Sequence, residues 1–84
     1  YLARTRLAAV QIQTEQYDQA IATLAADFPA QFSALVDELR GDALASQGKT
    51  AEAIAAYRKA QSAEPQPANL EFLRQKLNDL GSRS

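Results

Sequence analysis

Residues 17–24, YDQAIATL, return as residues 50–57, TAEAIAAY, at an offset of 33. Ala20 falls on Ala53, Ile21 on Ile54 and Leu24 on Tyr57, and by the same offset Ala8 falls on Gly41, both small. A period of this length, with two helical segments per unit, leads to stacked helical hairpins. Each hairpin leaves an apolar face that only a neighbouring hairpin buries. The expected fold is therefore an all-α antiparallel stack of about five helices.

The second unit carries the clearest packing signals. Gly41 puts no side chain on its first helix, and Gly48-Lys49 falls where that helix should stop. Only glycine fits comfortably where two backbones approach closely or where a helix ends with positive φ. Ala53, Tyr57 and Ala60 then recur at helical spacing, with the Tyr57 ring filling the volume beside Gly41, and Pro65 prevents further helix. Thr50 is the expected N-cap of this helix, which runs to about Ser62, with Glu52 in its first turn.

The other elements follow from apolar periodicity. Residues 1–13 predict a helix with Ala3, Leu7 and Val10 on its apolar face. Residues 17–27 predict a second helix, with Tyr17, Ala20, Ile21 and Leu24 as its stripe. Residues 29–47 predict the longest helix, opened by Pro29 and carrying Phe32, Leu35, Val36, Leu39, Ala43 and Leu44. After the rigid step at Pro65 and Pro67, a fifth helix is capped by Asn69 or Gln66. It presents Leu70, Leu73, Leu77 and Leu80 as one seam, leaves Phe72 off it, and ends at Gly81. The units read as a degenerate repeat (1–33), a good repeat (34–67) and a capping helix (68–80).

Composition narrows the chemistry. The 84 residues hold no Cys and no His, which excludes thiolate nucleophiles, disulfides, histidine bases and ordinary zinc sites. Net charge is −1, so no electrostatic footprint for nucleic acid or anionic lipid is present. Much of the apolar content is alanine, so the core should be thin and its few large side chains decisive. The chain has no Met and opens on Tyr1 within a helical pattern, and so reads as a fragment of a longer protein.

The units resemble tetratricopeptide repeats. Gly41, Leu44, Gly48, Ala53, Tyr57, Ala60 and Pro65 occupy that family's small, aromatic and proline positions. The first unit departs from the pattern, with Glu15 where Gly48 would be and Asp27 where Ala60 would be. A narrower likeness covers nearly the whole chain. The run LVDELRGDALASQGKTAEAIAAYRKA, preceded by FPAQFSAL and followed by LEFLRQKLNDL, is similar to the C-terminal part of the YfgM-type proteins, the ancillary subunits of the bacterial SecYEG translocon. This resemblance implies a periplasmic repeat domain tethered to the inner membrane by an N-terminal helix not present here. It also implies association with the translocon and with the PpiD-type periplasmic chaperone, and help in passing secreted chains to chaperones. No cofactor and no direct membrane insertion by these residues are implied.

The expected activity is protein–protein interaction through a concave groove. The family's groove positions fall on Leu2, Thr5, Ala9 and Ile12 in the first unit, on Leu35, Glu38, Asp42 and Ala45 in the second, and on Asn69, Phe72 and Lys76 in the half repeat. Such a mixed surface suits an amphipathic helix or an extended segment; the blander reading makes some of these positions, Leu35 above all, plain core. Capture of a C-terminal carboxylate is disfavoured, because Thr5, Ala9, Glu38 and Asp42 stand where cationic and amide side chains would be needed. Catalysis has one candidate, the carboxylate pair Glu38 and Asp42 at i, i+4, with no nucleophile–base pair or glycine-rich loop beside it. The alternatives are a generic tetratricopeptide adaptor or a self-association domain of another assembly, with oligomeric state open. Basic pairs such as Arg58-Lys59 are scattered and balanced by acids, which argues against nucleic acid.

Overall fold

A computed structural model describes residues 1–63 and 69–83; of Arg83 only the backbone is described. Among the described residues the chain forms five α-helices: α1 (Leu2–Gln13), α2 (Tyr17–Leu24), α3 (Ser33–Ser46), α4 (Thr50–Gln61) and α5 (Leu70–Arg83), with a 3-10 turn at Ala30–Phe32 ahead of α3. Consecutive helices pack on one another, most extensively α3 with α4, and α1 also touches α3. The result is a slab 33 × 28 × 16 Å across.

The two hairpins repeat one another at their turns. Three amides close the end of α1: Thr14 donates to the Val10 carbonyl (3.0 Å), Glu15 to Ile12 (3.1 Å) and Gln16 to Gln11 (2.7 Å). Thirty-three residues on, Gln47 donates to Ala43 (3.1 Å), Gly48 to Ala45 (3.0 Å) and Lys49 to Leu44 (2.9 Å). The bond that spans five residues requires one left-handed residue after the helix. That residue is Gly48 (φ 79°) in the second hairpin and Glu15 (φ 64°) in the first. In both hairpins the incoming helix starts alike, with Ala20 donating to Gln16 (3.0 Å) and Ala53 to Lys49 (2.9 Å).

The core is thin and rich in alanine. Ala8, Ala20, Ala43, Ala53 and Ala60 are fully buried, so the helices approach closely where they carry only a methyl group. One cluster joins Leu44, Ala53, Ala56, Tyr57, Ala60, Leu73 and Leu80, with Leu77 and Ile21 against it. The other joins Ala8, Leu24 and Val36, with Phe28, Phe32 and Leu39 against it. Tyr1, Phe28 and Phe32 close the second cluster as three tilted rings, 5.9–6.3 Å between centroids.

Several local expectations are corrected. The buried residues of α1 are Thr5 and Ala8, while Leu7 and Val10 stand 50% and 54% exposed. Small side chains face the neighbours there because α1 lies close to α2 and α3. Helix α2 ends at Leu24 rather than residue 27. The expected helix from residue 29 begins as a 3-10 turn and becomes α-helical only at Ser33, so α3 equals α5 in length at 14 residues. Thr50 is the first helical residue of α4, and the cap position is Lys49, with no side-chain bond. Gly81 does not end α5: the helix runs on to Arg83, with the Ser82 hydroxyl donating to the Asn78 carbonyl (3.0 Å). Gln66, Pro65 and Pro67 lie outside the described residues.

Candidate functional site

The eleven expected groove positions do not form one surface. They divide along α3 into an open apolar part and a closed polar part.

The open part lies between α1 and α3. Leu2, Thr5, Arg6 and Ala9, spaced as one face of α1, meet Leu35 and Leu39 of α3 around a shallow groove of about 180 Å³. Leu35 is 39% exposed, so it belongs to the surface and not to the core. Thr5 is buried, and its hydroxyl donates to the Leu2 carbonyl (2.8 Å), which removes it as a free hydrogen-bonding group. Arg6, which the sequence reading did not select, supplies the charge at this groove. Among the described residues neither Arg6 nor Arg4 makes an ion pair.

The closed part lies between α3 and α5. Lys76 of α5 places its Nζ 2.8 Å from Glu38 Oε2 and 2.9 Å from Asp42 Oδ1. Asn69 Nδ2 donates to Glu38 Oε1 (2.7 Å), and the Tyr57 hydroxyl donates to Asp42. Glu38 is only 8% exposed. A carboxylate so deep requires partners, and here each oxygen pair has an amide or hydroxyl donor as well as the ammonium. Lys76 also lies over two rings, 4.9 Å from the Phe72 centroid and 5.6 Å from that of Tyr57. Phe72 itself stands 57% exposed on the outer side of this cluster.

The electrostatics follow from that geometry. Burial alone would lower the Lys76 ammonium, but the hydrogen bonds it donates to Glu38 and Asp42 outweigh this and hold the group above its usual range. Burial, reinforced by the bond to Asp42, pushes the Tyr57 phenol far above its ordinary value. The cation site offered by two carboxylates one turn apart is thus filled by the chain's own lysine. Two expected positions take other places. Ala45 packs against the core cluster and lines a small recess with Tyr57, Lys76, Asp79 and Leu80, while Ile12 is half-buried on α1 and does not line the open groove.

A second charged group was not foreseen. Asp37, on the other face of α3, is buried and raised above its ordinary value by desolvation, which the nearby Lys59 and Arg40 only partly offset. Arg40 ties it in place, donating to Asp37 Oδ1 (3.1 Å) and to the Leu24 carbonyl (3.2 Å) at the end of α2.

An all-helical stack with paired turns and a groove along α1 and α3 defines a helical-repeat protein. The family model described as a tetratricopeptide repeat-like domain matches residues 1–82, and the chain belongs to that family. It is similar, at 39% identity over 94% of its length, to a Neisseria gonorrhoeae (strain ATCC 700825 / FA 1090) protein named ancillary SecYEG translocon subunit. It is likewise 37% identical, over 89% of its length, to the Escherichia coli (strain K12) protein of the same name. The chain spans 38% and 36% of the length of these two relatives. No solved structure matches it. Among the described residues no helix is long and apolar enough to cross a membrane.

Proposed function

We propose that the chain is the non-catalytic protein-interaction domain of a protein that works beside the SecYEG translocon. In this reading the domain stands on the periplasmic side of the inner membrane, tethered by a segment outside residues 1–84. It helps pass exported chains to a periplasmic chaperone of the PpiD type. The observation that carries the reading is the similarity, across nearly the whole chain, to two proteins named ancillary SecYEG translocon subunit. The open groove adds a place where a partner segment would lie, along Leu2, Thr5, Ala9 and Leu35. The division into a first repeat (1–33), a second (34–67) and a capping helix (68–80) belongs to the same reading and is supported by the matched turns.

The test is co-purification. The full-length parent is expressed in its own membrane, crosslinked, isolated in mild detergent, and its partners are identified by mass spectrometry. Translocon subunits together with a membrane-anchored periplasmic chaperone are the expected enrichment. An unrelated soluble complex in their place would leave only a generic adaptor role.

A further inference from the structure

The open groove differs from the closed one in charge, and that difference constrains what it takes. Its walls are apolar (Leu2, Ala9, Leu35 and Leu39), the Thr5 hydroxyl is spent on its own helix, and its one charged side chain is Arg6. Helix α1 carries two cations, Arg4 and Arg6, and no acid between Leu2 and Gln13. The acids of α3 are already partnered: Asp37 by Arg40, and Glu38 and Asp42 by Lys76, Asn69 and Tyr57. A basic segment therefore meets an unpaired like charge at this groove, whereas an acidic one gains a partner. The groove's size sets the other requirement: at about 180 Å³ it is slightly larger than a cavity of roughly 150 Å³ that accepts one benzene molecule.

We infer that the groove between α1 and α3 docks an acidic partner segment that inserts one leucine- or phenylalanine-sized side chain between Ala9 and Leu35–Leu39 and sets a carboxylate against Arg6. The inference rests on the reading of this chain as an interaction module and specifies the chemistry of its partner. Affinity at such a site comes from the apolar anchor, and discrimination from the charge. Occupancy should weaken as salt rises, because Arg6 is exposed.

The test uses two acetylated, amidated octapeptides, Gly-Asp-Asp-Leu-Leu-Asp-Asp-Gly and its counterpart with lysine for every aspartate, titrated against the 84-residue chain by heteronuclear NMR. The aspartate peptide should move the amide resonances of Leu2, Thr5, Ala9 and Leu35, and should bind at least about tenfold more tightly than the lysine peptide, a gap of one RT ln 10. Arg6→Glu should abolish that preference. Arg4→Glu makes the same charge change on the same helix away from the groove lining and should leave most of it. Equal binding of the two peptides, equal effects of the two arginine changes, or shifts confined to Asn69, Phe72 and Lys76 would each overturn the inference. Co-purifying translocon subunits alongside such a result would show that the partner reading stands while the groove chemistry fails. A positive titration without those subunits would show the reverse.

Discussion

The first hairpin and the second are the same backbone built from different side chains. Their turns share three backbone hydrogen bonds at an offset of 33, yet apart from Leu2/Leu35, Ala20/Ala53, Ile21/Ile54 and Ala22/Ala55 the equivalent helical positions carry different side chains. Ala8 faces Leu24 in the first, and Gly41 faces Tyr57 in the second. Thr5 and Ala9 in the first hairpin become Glu38 and Asp42 in the second. The larger tyrosine needs the space that glycine leaves; its hydroxyl and Lys76 make Asp42 tolerable, while Lys76 and Asn69 do the same for the more deeply buried Glu38. The first hairpin has no such polar network, so its groove stays open and apolar. A repeat thus fixes where side chains stand without fixing whether the surface they make is available to a partner.

The largest expected effects probe the Gly41–Tyr57 pair. A Cβ at Gly41 would meet the Tyr57 ring at 2.6 Å (Cε1), 2.7 Å (Cδ1) and 3.0 Å (Cζ), and that ring is 3% exposed. Tyr57→Ala should cost about 3–5 kcal/mol, and Gly41→Ala about 1–3 kcal/mol by overpacking, both read from urea denaturation. Because the first hairpin combines alanine with leucine at these positions, Gly41→Ala together with Tyr57→Leu should cost clearly less than Gly41→Ala alone and Tyr57→Leu alone summed. Strict additivity would mean that the ring does not decide the choice of glycine.

Next comes a pH effect confined to the second hairpin. Tyr57 and Lys76 both hold their protons in the folded chain beyond the pH at which the unfolded chain releases them, near 10 and 10.4. The folded state then binds more protons than the unfolded one, so stability should fall as pH rises through about 10 and continue falling until the folded groups themselves titrate. The phenolate absorbance of Tyr57, isolated by difference against Tyr57→Phe, should appear only as the fold is lost. Ionisation of Tyr57 at its ordinary pH in the intact fold would sink the burial argument.

The smallest effects separate the two turns. Glu15 holds a left-handed conformation that costs a side-chain-bearing residue about 1–2 kcal/mol. Glycine gives back part of this gain as chain entropy. Glu15→Gly should therefore stabilise the chain by somewhat less than this strain, about 1 kcal/mol. Gly48→Ala, with nothing within 4 Å of the new Cβ, should cost a similar amount from backbone strain alone. Melting temperatures that move in the same direction for both would contradict the equivalence of the turns.

What was legible in the sequence is what spacing within a helix or one hairpin determines. The five helices, the Gly41–Tyr57 contact and the left-handed Gly48 follow from local pattern, as does the seam of Leu70, Leu73, Leu77 and Leu80, of which Leu73 and Leu80 are buried and the other two partly so. The left-handed Glu15 had no glycine to announce it; only its offset from Gly48 pointed there. The reading of α1 followed its large aliphatics, but close approach to two neighbours selects small residues, so Leu7 and Val10 fall outside. Lys76 was placed in the groove, but its partners lie 34 and 38 residues away, and the register of α5 against α3 is a tertiary outcome. Arg6 escaped because the groove pattern was taken at positions 2, 5, 9 and 12, while the opening also includes the residue one step past Thr5.

Lys76 closes the second hairpin's groove by pairing with both Glu38 and Asp42. A double-mutant cycle between Lys76→Met and the combined Glu38→Gln, Asp42→Asn change, followed by urea denaturation, tests it most directly. Lys76→Met alone should cost about 2–3 kcal/mol, somewhat under the value for a fully buried pair because the cluster is partly exposed. In the neutralised background it should cost almost nothing, giving a coupling of more than about 1.5 kcal/mol. Additive effects, or a Lys76→Met chain as stable as the parent, would mean that the acids do not depend on α5 and that the second groove is as open as the first.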